Sequence, residues 1–132
     1  MESRRVVVTG IGALTPIGNN LQDYWNSLIN GVSGAAPITN FDASNFKTRF
    51  ACEVKNFEVT DFIHRKEARK LDRFSQYALV VTDEAFVDSG LDKDAIDSDR
   101  AGVIWGSGIG GMQTFQNEAS AFATGSGIPR YN

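Results

Sequence analysis

The sequence predicts an α/β protein, and three observations carry that prediction. Consecutive β-branched residues open the chain, Val6-Val7-Val8, followed by Thr9-Gly10-Ile11-Gly12. A second run of that kind, Ala101-Gly102-Val103-Ile104-Trp105, leads straight into Gly106-Ser107-Gly108-Ile109-Gly110-Gly111. Between and after these runs lie segments whose apolar residues recur at helical spacing. Strands without polar alternation, followed by glycine-rich turns and helices, are the pattern of a sheet covered on both faces.

Taken in order, residues 4–12 read as the first strand. Gly10 and Gly12 let the chain there turn sharply or pass close to another backbone. Asn19 or Asn20 caps the first helix. Leu21, Tyr24, Trp25, Leu28 and Ile29 recur in it at helical spacing, and Gly31 stops it. Residues 32–46 read as a loop, with Gly34, Pro37, Asn40 and Asp42 as turn formers. Residues 46–54 read as a strand or hairpin. A short basic helix begins near Asp61, and a longer helix follows over residues 71–87. Phe74, Tyr77, Ala78, Val81, Ala85 and Phe86 give that helix a broad apolar face, and Ser89-Gly90 ends it. Residues 101–105 read as the second buried strand. The glycine-rich turn and a helix to Ala123 come next, then a loop at Gly125-Ser126-Gly127-Ile128-Pro129. The sheet implied by this order lacks a partner on at least one side, which would leave strand edges and apolar faces uncovered. The chain therefore reads as a fragment, or as a piece that needs another chain.

Composition narrows the function. The 132 residues fit one domain, and 42% hydrophobic with 22% charged residues is ordinary for a soluble globular protein. A formal net charge of -3 disfavours nucleic acid as a partner of the whole chain. Cys52 is the only cysteine, which excludes an internal disulfide and a cysteine-based zinc site. The apolar run Val6-Val7-Val8 ends at once in Thr9-Gly10 and makes no signal peptide. No stretch approaches the roughly 18 apolar residues of a membrane span. A cytoplasmic protein without membrane insertion is the default expectation.

Gly106, Gly108 and Gly111 match G-x-G-x-x-G between a strand and a helix, the setting of a dinucleotide site. Three facts count against it. The fingerprint belongs in the first βαβ unit, and here it follows about a hundred residues. Such a unit needs about 30 residues and a second strand, and only Gly111 to Asn132 remain. The acidic residue expected about 20 positions further on would fall near Tyr131, where there is none. A nucleotide-binding α/β module stays as an alternative from another class, beside a tight structural turn and a turn that approaches a bound acyl chain.

Arg65, Lys66, Arg69, Lys70 and Arg73 crowd one short segment, interrupted only by Glu67 and Asp72. On one continuous helix, positions 65, 69 and 73 form a positive stripe with 66 and 70 beside them. By pattern alone this reads as a solvated face with local ion pairs. A positive face on an acidic chain also suits an acidic protein partner. His64, the only histidine, reads as a surface or helix-start residue. Cys52, in Phe50-Ala51-Cys52-Glu53-Val54, reads as a small buried hydrophobe rather than a nucleophile. No metal-ligand set and no catalytic arrangement is recognisable.

Several segments together resemble one family. Val6-Val7-Val8-Thr9-Gly10-Ile11-Gly12 with Thr15-Pro16-Ile17-Gly18 resembles the opening of β-ketoacyl-acyl carrier protein synthases. Trp25 with Leu28, and Gly31-Val32-Ser33-Gly34, fit the same pattern. Arg65-Lys66-Glu67-Ala68-Arg69-Lys70-Leu71-Asp72-Arg73-Phe74 resembles the family's basic helix and the step after it. Asp88-Ser89-Gly90-Leu91 and the turn from Gly106 to Gly111 complete the resemblance, which runs from residue 4 to 132. Ile109 and the Leu71-Asp72-Arg73-Phe74 stretch favour the elongating KAS II type.

The resemblance implies a thiolase-like fold, of which this chain is the incomplete N-terminal half of a layered α/β/α/β/α architecture. Residues 1–132 would be the first part of the synthase N-terminal domain, ending before the nucleophile motif. It implies a homodimer that condenses a carrier-bound acyl chain with malonyl carrier by decarboxylative Claisen chemistry, the malonyl group's CO2 being released. Polyketide-type ketosynthases and noncatalytic chain-length partners share the pattern and stand as alternatives. Substrates arrive on the phosphopantetheine of acyl carrier protein, with no other cofactor. The nucleophilic cysteine and two histidines are expected beyond Asn132, so no catalytic residue is assigned here. Arg65, Lys66, Arg69, Lys70 and Arg130 match carrier-docking positions. Ile109, with Gly108 beside it, matches the acyl pocket, and Gly108 and Gly110 would leave room for the isoleucine to move.

Overall fold

The computed structural model describes residues 4–125. They fall into two compact units. The first joins residues up to 57 with residues 80–102, and the second joins residues 58–79 with those from 103 onward.

The first unit is organised by the approach of an extended segment to a helix. Helix α1 spans Leu21–Ile29 and helix α3 spans Arg73–Ser89, its residues from Val80 on lying in this unit. A Cβ on Gly10 would collide with the carbonyl of Ala85, and one on Gly12 with that of Val81. The glycines are thus needed for backbone proximity rather than for a sharp turn. The amide of Ile11 donates to Asp88 Oδ2 at 2.9 Å, and that of Ala13 to Glu84 Oε2 at 2.7 Å. Four helical residues rise about 6 Å and two extended residues about 6.6 Å, so the two backbones stay in step.

Of the two candidate caps, Asn20 is the one used. Its Oδ1 accepts from Asp23 N at 2.8 Å, and its Nδ2 donates to Asp23 Oδ2 at 2.8 Å. Asn19 instead donates to the carbonyls of Lys55 and Asn56. At the other end Gly31 takes φ 65°. Its amide reaches Leu28 O and that of Val32 reaches Ser27 O, the paired bonds of a Schellman stop. Gly90, also at φ 65°, ends α3 in the same left-handed conformation.

The expected strand or hairpin over 46–54 is reduced to a two-residue strand. β1 (Ala36–Pro37) and β2 (Phe50–Ala51) pair antiparallel, in register Ala36 to Ala51 and Pro37 to Phe50. Glu53, just past β2, fastens the loop beyond β1. Its carboxylate accepts from the Thr39 hydroxyl at 2.6 Å, and from the Thr39 amide and the Asn40 side chain. The Thr39 hydroxyl bond, against an opposing effect of burial and with the help of the other Thr39 and Asn40 donors, holds Glu53 below the usual carboxylate range.

The two runs expected to be buried strands have no ladder among the described residues. Val6 is 92% exposed, Val8 81% and Ile104 101%. A strand needs a neighbour to satisfy its backbone, and none of the described residues supplies one to these runs. The buried hydrophobic residues here are Ala43, Ala68 and Val80. No helix among the described residues is long and apolar enough to cross a membrane.

The second unit holds α2 (Arg65–Ala68), the start of α3 and α4 (Met112–Thr124). The last helix ends where its spacing predicts.

Candidate functional site

The basic segment and the glycine-rich turn belong to the same unit. The basic segment is not one helix. His64 starts α2, its Nδ1 accepting from Lys66 N at 3.3 Å. The helix ends at Ala68, with Arg69 as its C-terminal cap. The amides of Lys70 and Leu71 reach the carbonyls of Glu67 and Ala68, a tightened last turn. Gln76 then reaches back from α3, and its Nε2 donates to the carbonyls of Ala68 and Leu71. The continuous stripe expected through 65, 69 and 73 is therefore divided. Arg73 lies on α3, where its Nε donates to the Tyr77 hydroxyl at 2.6 Å and its guanidinium sits 5.7 Å from that ring's centroid.

Arg65, Lys66, Arg69 and Lys70 are exposed. Lys70 pairs with Glu67 at 3.2 Å, a surface pair worth below about 1 kcal/mol. Arg65, Lys66 and Arg69 make no side-chain hydrogen bond or ion pair among the described residues. Three cations within one turn of helix and its cap thus remain available to an outside anion. Arg130 lies outside the described residues.

The glycine-rich turn closes on itself through Ser107, whose Oγ accepts from Gly110 N at 3.1 Å. Gly110 has φ 82°, a conformation that favours glycine. Gly111 stands at the N-terminal cap of α4 and has no side chain to cap with. Asp72 comes up to this helix start from another segment. Thr114 Oγ1, in the first turn, donates to Asp72 Oδ1. A Cβ on Gly111 would collide with the same carboxylate. Unpaired amides and the helix dipole favour an anion there. In a dinucleotide site that position holds the pyrophosphate. Here the protein's own Asp72 carboxylate stands beside it, held by the Thr114 hydroxyl, which argues against the nucleotide reading.

Ile109 is 80% exposed, and a Cβ on Gly108 would meet nothing within 4 Å. The turn is bounded at Gly111 by Asp72 and open around Ile109. Cys52 is exposed, which corrects the expectation of a buried hydrophobe. Alternation along the strand explains it: the half-buried side falls to Ala51, and Phe50 and Cys52 take the opposite side. No cluster of three His, Cys, Asp or Glu suited to a metal ion exists among the described residues.

In the first unit, a recess of about 700 Å³ is lined by Ile11, Leu21, Trp25, Val87, Glu84 and Asp88 among others. Its two acidic groups already accept backbone amides, so it presents apolar surface rather than reactive groups.

Asp72 is the residue that reasoning from the sequence missed. There it interrupted a run of positive charge and belonged to the Leu71-Asp72-Arg73-Phe74 stretch, with no contact of its own foreseen. The available signal was its place directly before a helix, in Lys70-Leu71-Asp72-Arg73-Phe74.

The family model for the beta-ketoacyl synthase N-terminal domain matches residues 3–130. The 3-oxoacyl-acyl-carrier-protein synthase 2 of Synechocystis sp. is 48% identical over 118 residues, 89% of this chain and 28% of that protein. The Staphylococcus aureus (strain COL) protein of the same name is 48% identical over 115 residues, 87% of this chain and 28% of its own length. That of Vibrio harveyi is 46% identical over 121 residues, 92% of this chain and 29% of its own. The chain thus spans under a third of the length of these curated relatives. Among solved structures, the ishigamide ketosynthase/chain length factor matches with a TM-score of 0.84 and 34% identity, over 96% of this chain and 31% of that one. A type II polyketide acyl-carrier protein in complex with its hexaketide-bound ketosynthase matches with a TM-score of 0.70 and 30% identity, over 92% of this chain and 31% of that one. These two neighbours give the chain the α/β, thiolase-like fold class expected of it, as a partial N-terminal portion.

Proposed function

The chain belongs to the β-ketoacyl synthase family through that family's N-terminal domain, and on that premise we propose that the whole protein is a 3-oxoacyl-acyl-carrier-protein synthase of fatty acid elongation. The observation that carries this reading is the 48% identity to the Synechocystis synthase 2 across 89% of the chain.

In this reading the acyl group moves from its carrier to a cysteine thiolate beyond residue 132. Malonyl carrier then loses CO2, and the electrons of the broken carbon–carbon bond form an enolate. The enolate carbon attacks the cysteine thioester, the thiolate leaves, and a 3-oxoacyl carrier lengthened by a two-carbon unit is released. Histidines beyond this chain assist the decarboxylation, and an oxyanion hole supports the tetrahedral intermediate.

The segment described here contributes recognition. Exposed Arg65, Lys66, Arg69 and Lys70 dock the acidic carrier, joined by Arg130, through steering and screened ion pairing. The carrier-bound ketosynthase among the structural neighbours supports this. Ile109, flanked by Gly108, lines the acyl pocket. The uncovered Val6, Val8 and Ile104 fit a sheet that the remainder of a homodimeric, cytoplasmic synthase completes.

A second reading, a polyketide-type ketosynthase or its chain-length partner, is favoured by the two structural neighbours, although their identities of 34% and 30% are lower. The whole gene product, incubated with hexadecanoyl carrier and weighed intact, separates the readings. Gain of one hydroxylamine-labile acyl group, followed by a single-step 3-oxo product with malonyl carrier, supports the elongating synthase. A product that keeps several keto groups points to the polyketide type, and no acylation points to a chain-length partner.

A further inference from the structure

We infer that Asp72 is a positioning residue for the acyl pocket: it fixes the start of α4, and through it Ile109, and so governs which acyl lengths the whole enzyme elongates. This inference rests on the pocket role proposed for Ile109.

The choice of partner is the first argument. Asp72 stands in sequence among Arg69, Lys70 and Arg73, any of which would make an easy surface ion pair. Lys70 pairs with Glu67 instead, and Arg73 engages Tyr77. The Asp72 carboxylate turns to Thr114, 42 residues away, and it is half-buried there.

The need for it is the second argument. α4 has no capping side chain at Gly111 and no acidic residue in its first turn. The Asp72 carboxylate gives that helix start a negative charge and a hydroxyl contact that its own first turn does not supply. Gly111 completes the fit, because any Cβ would push the carboxylate out.

The path to the pocket is the third. Only Gly110 separates Gly111 from Ile109. Met112 N bonds Gly110 O at 3.1 Å and Phe115 N bonds Gly111 O at 2.9 Å, so the turn and the first helical residues move together. The other side-chain hydrogen bond of the turn, from Gly110 N to Ser107, is internal to it. Among the described residues, the Asp72–Thr114 bond is the side-chain hydrogen bond that ties this helix start to another segment of its unit.

The test uses the whole enzyme and the ratio of kcat/KM for hexadecanoyl over octanoyl carrier. Asp72→Asn and Thr114→Val are each made in the parent and in an Ile109→Ala background. Loss of one hydrogen bond worth about 1 kcal/mol corresponds to about a fivefold change in that ratio. Thr114→Val should show it in the parent, and Asp72→Asn, whose amide oxygen still accepts from the hydroxyl but carries no charge, a smaller change; neither should show it in the Ile109→Ala background, since coupled residues fail to add. Thr114→Val keeps the carboxylate and guards against an Asp72→Asn protein that does not fold. An unchanged ratio in Thr114→Val, or a change that persists without Ile109, overturns the inference and leaves the proposed function standing. A parent that elongates neither carrier overturns the proposed function and the inference with it.

Discussion

Glu84 of α3 accepts the amide proton of Leu21, the first residue of α1, at 2.7 Å, and its other oxygen accepts that of Ala13 at the same distance. One carboxylate therefore satisfies an orphan donor at a helix start and a donor of the extended segment. Substituting Glu84 should be costly out of proportion to its place near the surface. Glu84→Ala leaves two half-buried amides unpaired and should lower the stability of the whole protein by about 1–3 kcal/mol. Glu84→Gln should recover only part of this, because its NH2 would face one of the amides as a second donor. Urea unfolding checks both, and an Ala variant with the parent's midpoint would show that the clamp contributes nothing.

Carrier docking should be electrostatic and local. Lys66→Glu with Lys70→Glu should weaken carrier binding about tenfold or more at low salt, and the difference should shrink as salt rises, because both groups are exposed and screened. Calorimetric titration at several ionic strengths reads this directly. Arg73→Gln should have a smaller effect, since its guanidinium engages Tyr77. Binding that is indifferent to the double reversal would remove the docking assignment.

Ile109→Phe in the whole enzyme should block long acyl chains and spare the fold. The position is 80% exposed in this chain, so a larger side chain meets no packing conflict within the described residues. Turnover of hexadecanoyl carrier should fall at least about tenfold relative to octanoyl carrier, an effect of about 1.4 kcal/mol. Equal loss on both substrates would count against a pocket role.

Acid should release the Thr39 loop. Glu53 is held below the usual carboxylate range, chiefly by the Thr39 hydroxyl. Its folded value is depressed, so its contribution is present above the unfolded value and is lost as pH falls through the folded one. The Glu53 carboxyl carbon, followed by NMR, should titrate below the same carbon in an unfolded peptide. The Thr39 amide resonance should move with it, and Glu53→Gln should abolish that movement. A midpoint at or above the peptide's would mean that the contact is not formed in solution.

The 132-residue chain by itself should be a poor folder. Among the described residues the buried hydrophobic ones are Ala43, Ala68 and Val80, while Val6, Val8, Ile104, Phe115 and others are exposed. Free apolar area of that kind binds dye and associates. The isolated chain should bind ANS and melt without a sharp transition, whereas the whole protein should not bind dye. A cooperative calorimetric transition from a monomer would contradict this.

What the sequence determined by itself is local. The stops at Gly31 and Gly90, a cap at residue 19 or 20, His64 at a helix start and the extent of α4 all depend on neighbours a few residues apart, where chain geometry leaves few choices. The family motifs were legible for the same reason, as short strings of fixed spacing. Tertiary structure decided the rest. Nothing local tells that Asp72 holds the first turn of a helix 42 residues on, or that Glu84 serves a donor 71 residues back. Nor does it tell that the basic segment breaks after Ala68, since Gln76 must first reach back to take its carbonyls. The β-branched runs mark the limit most plainly. Their side chains state a preference for covered strands, but a strand exists only when another backbone accepts and donates beside it. That condition is set by the assembled fold, not by the run.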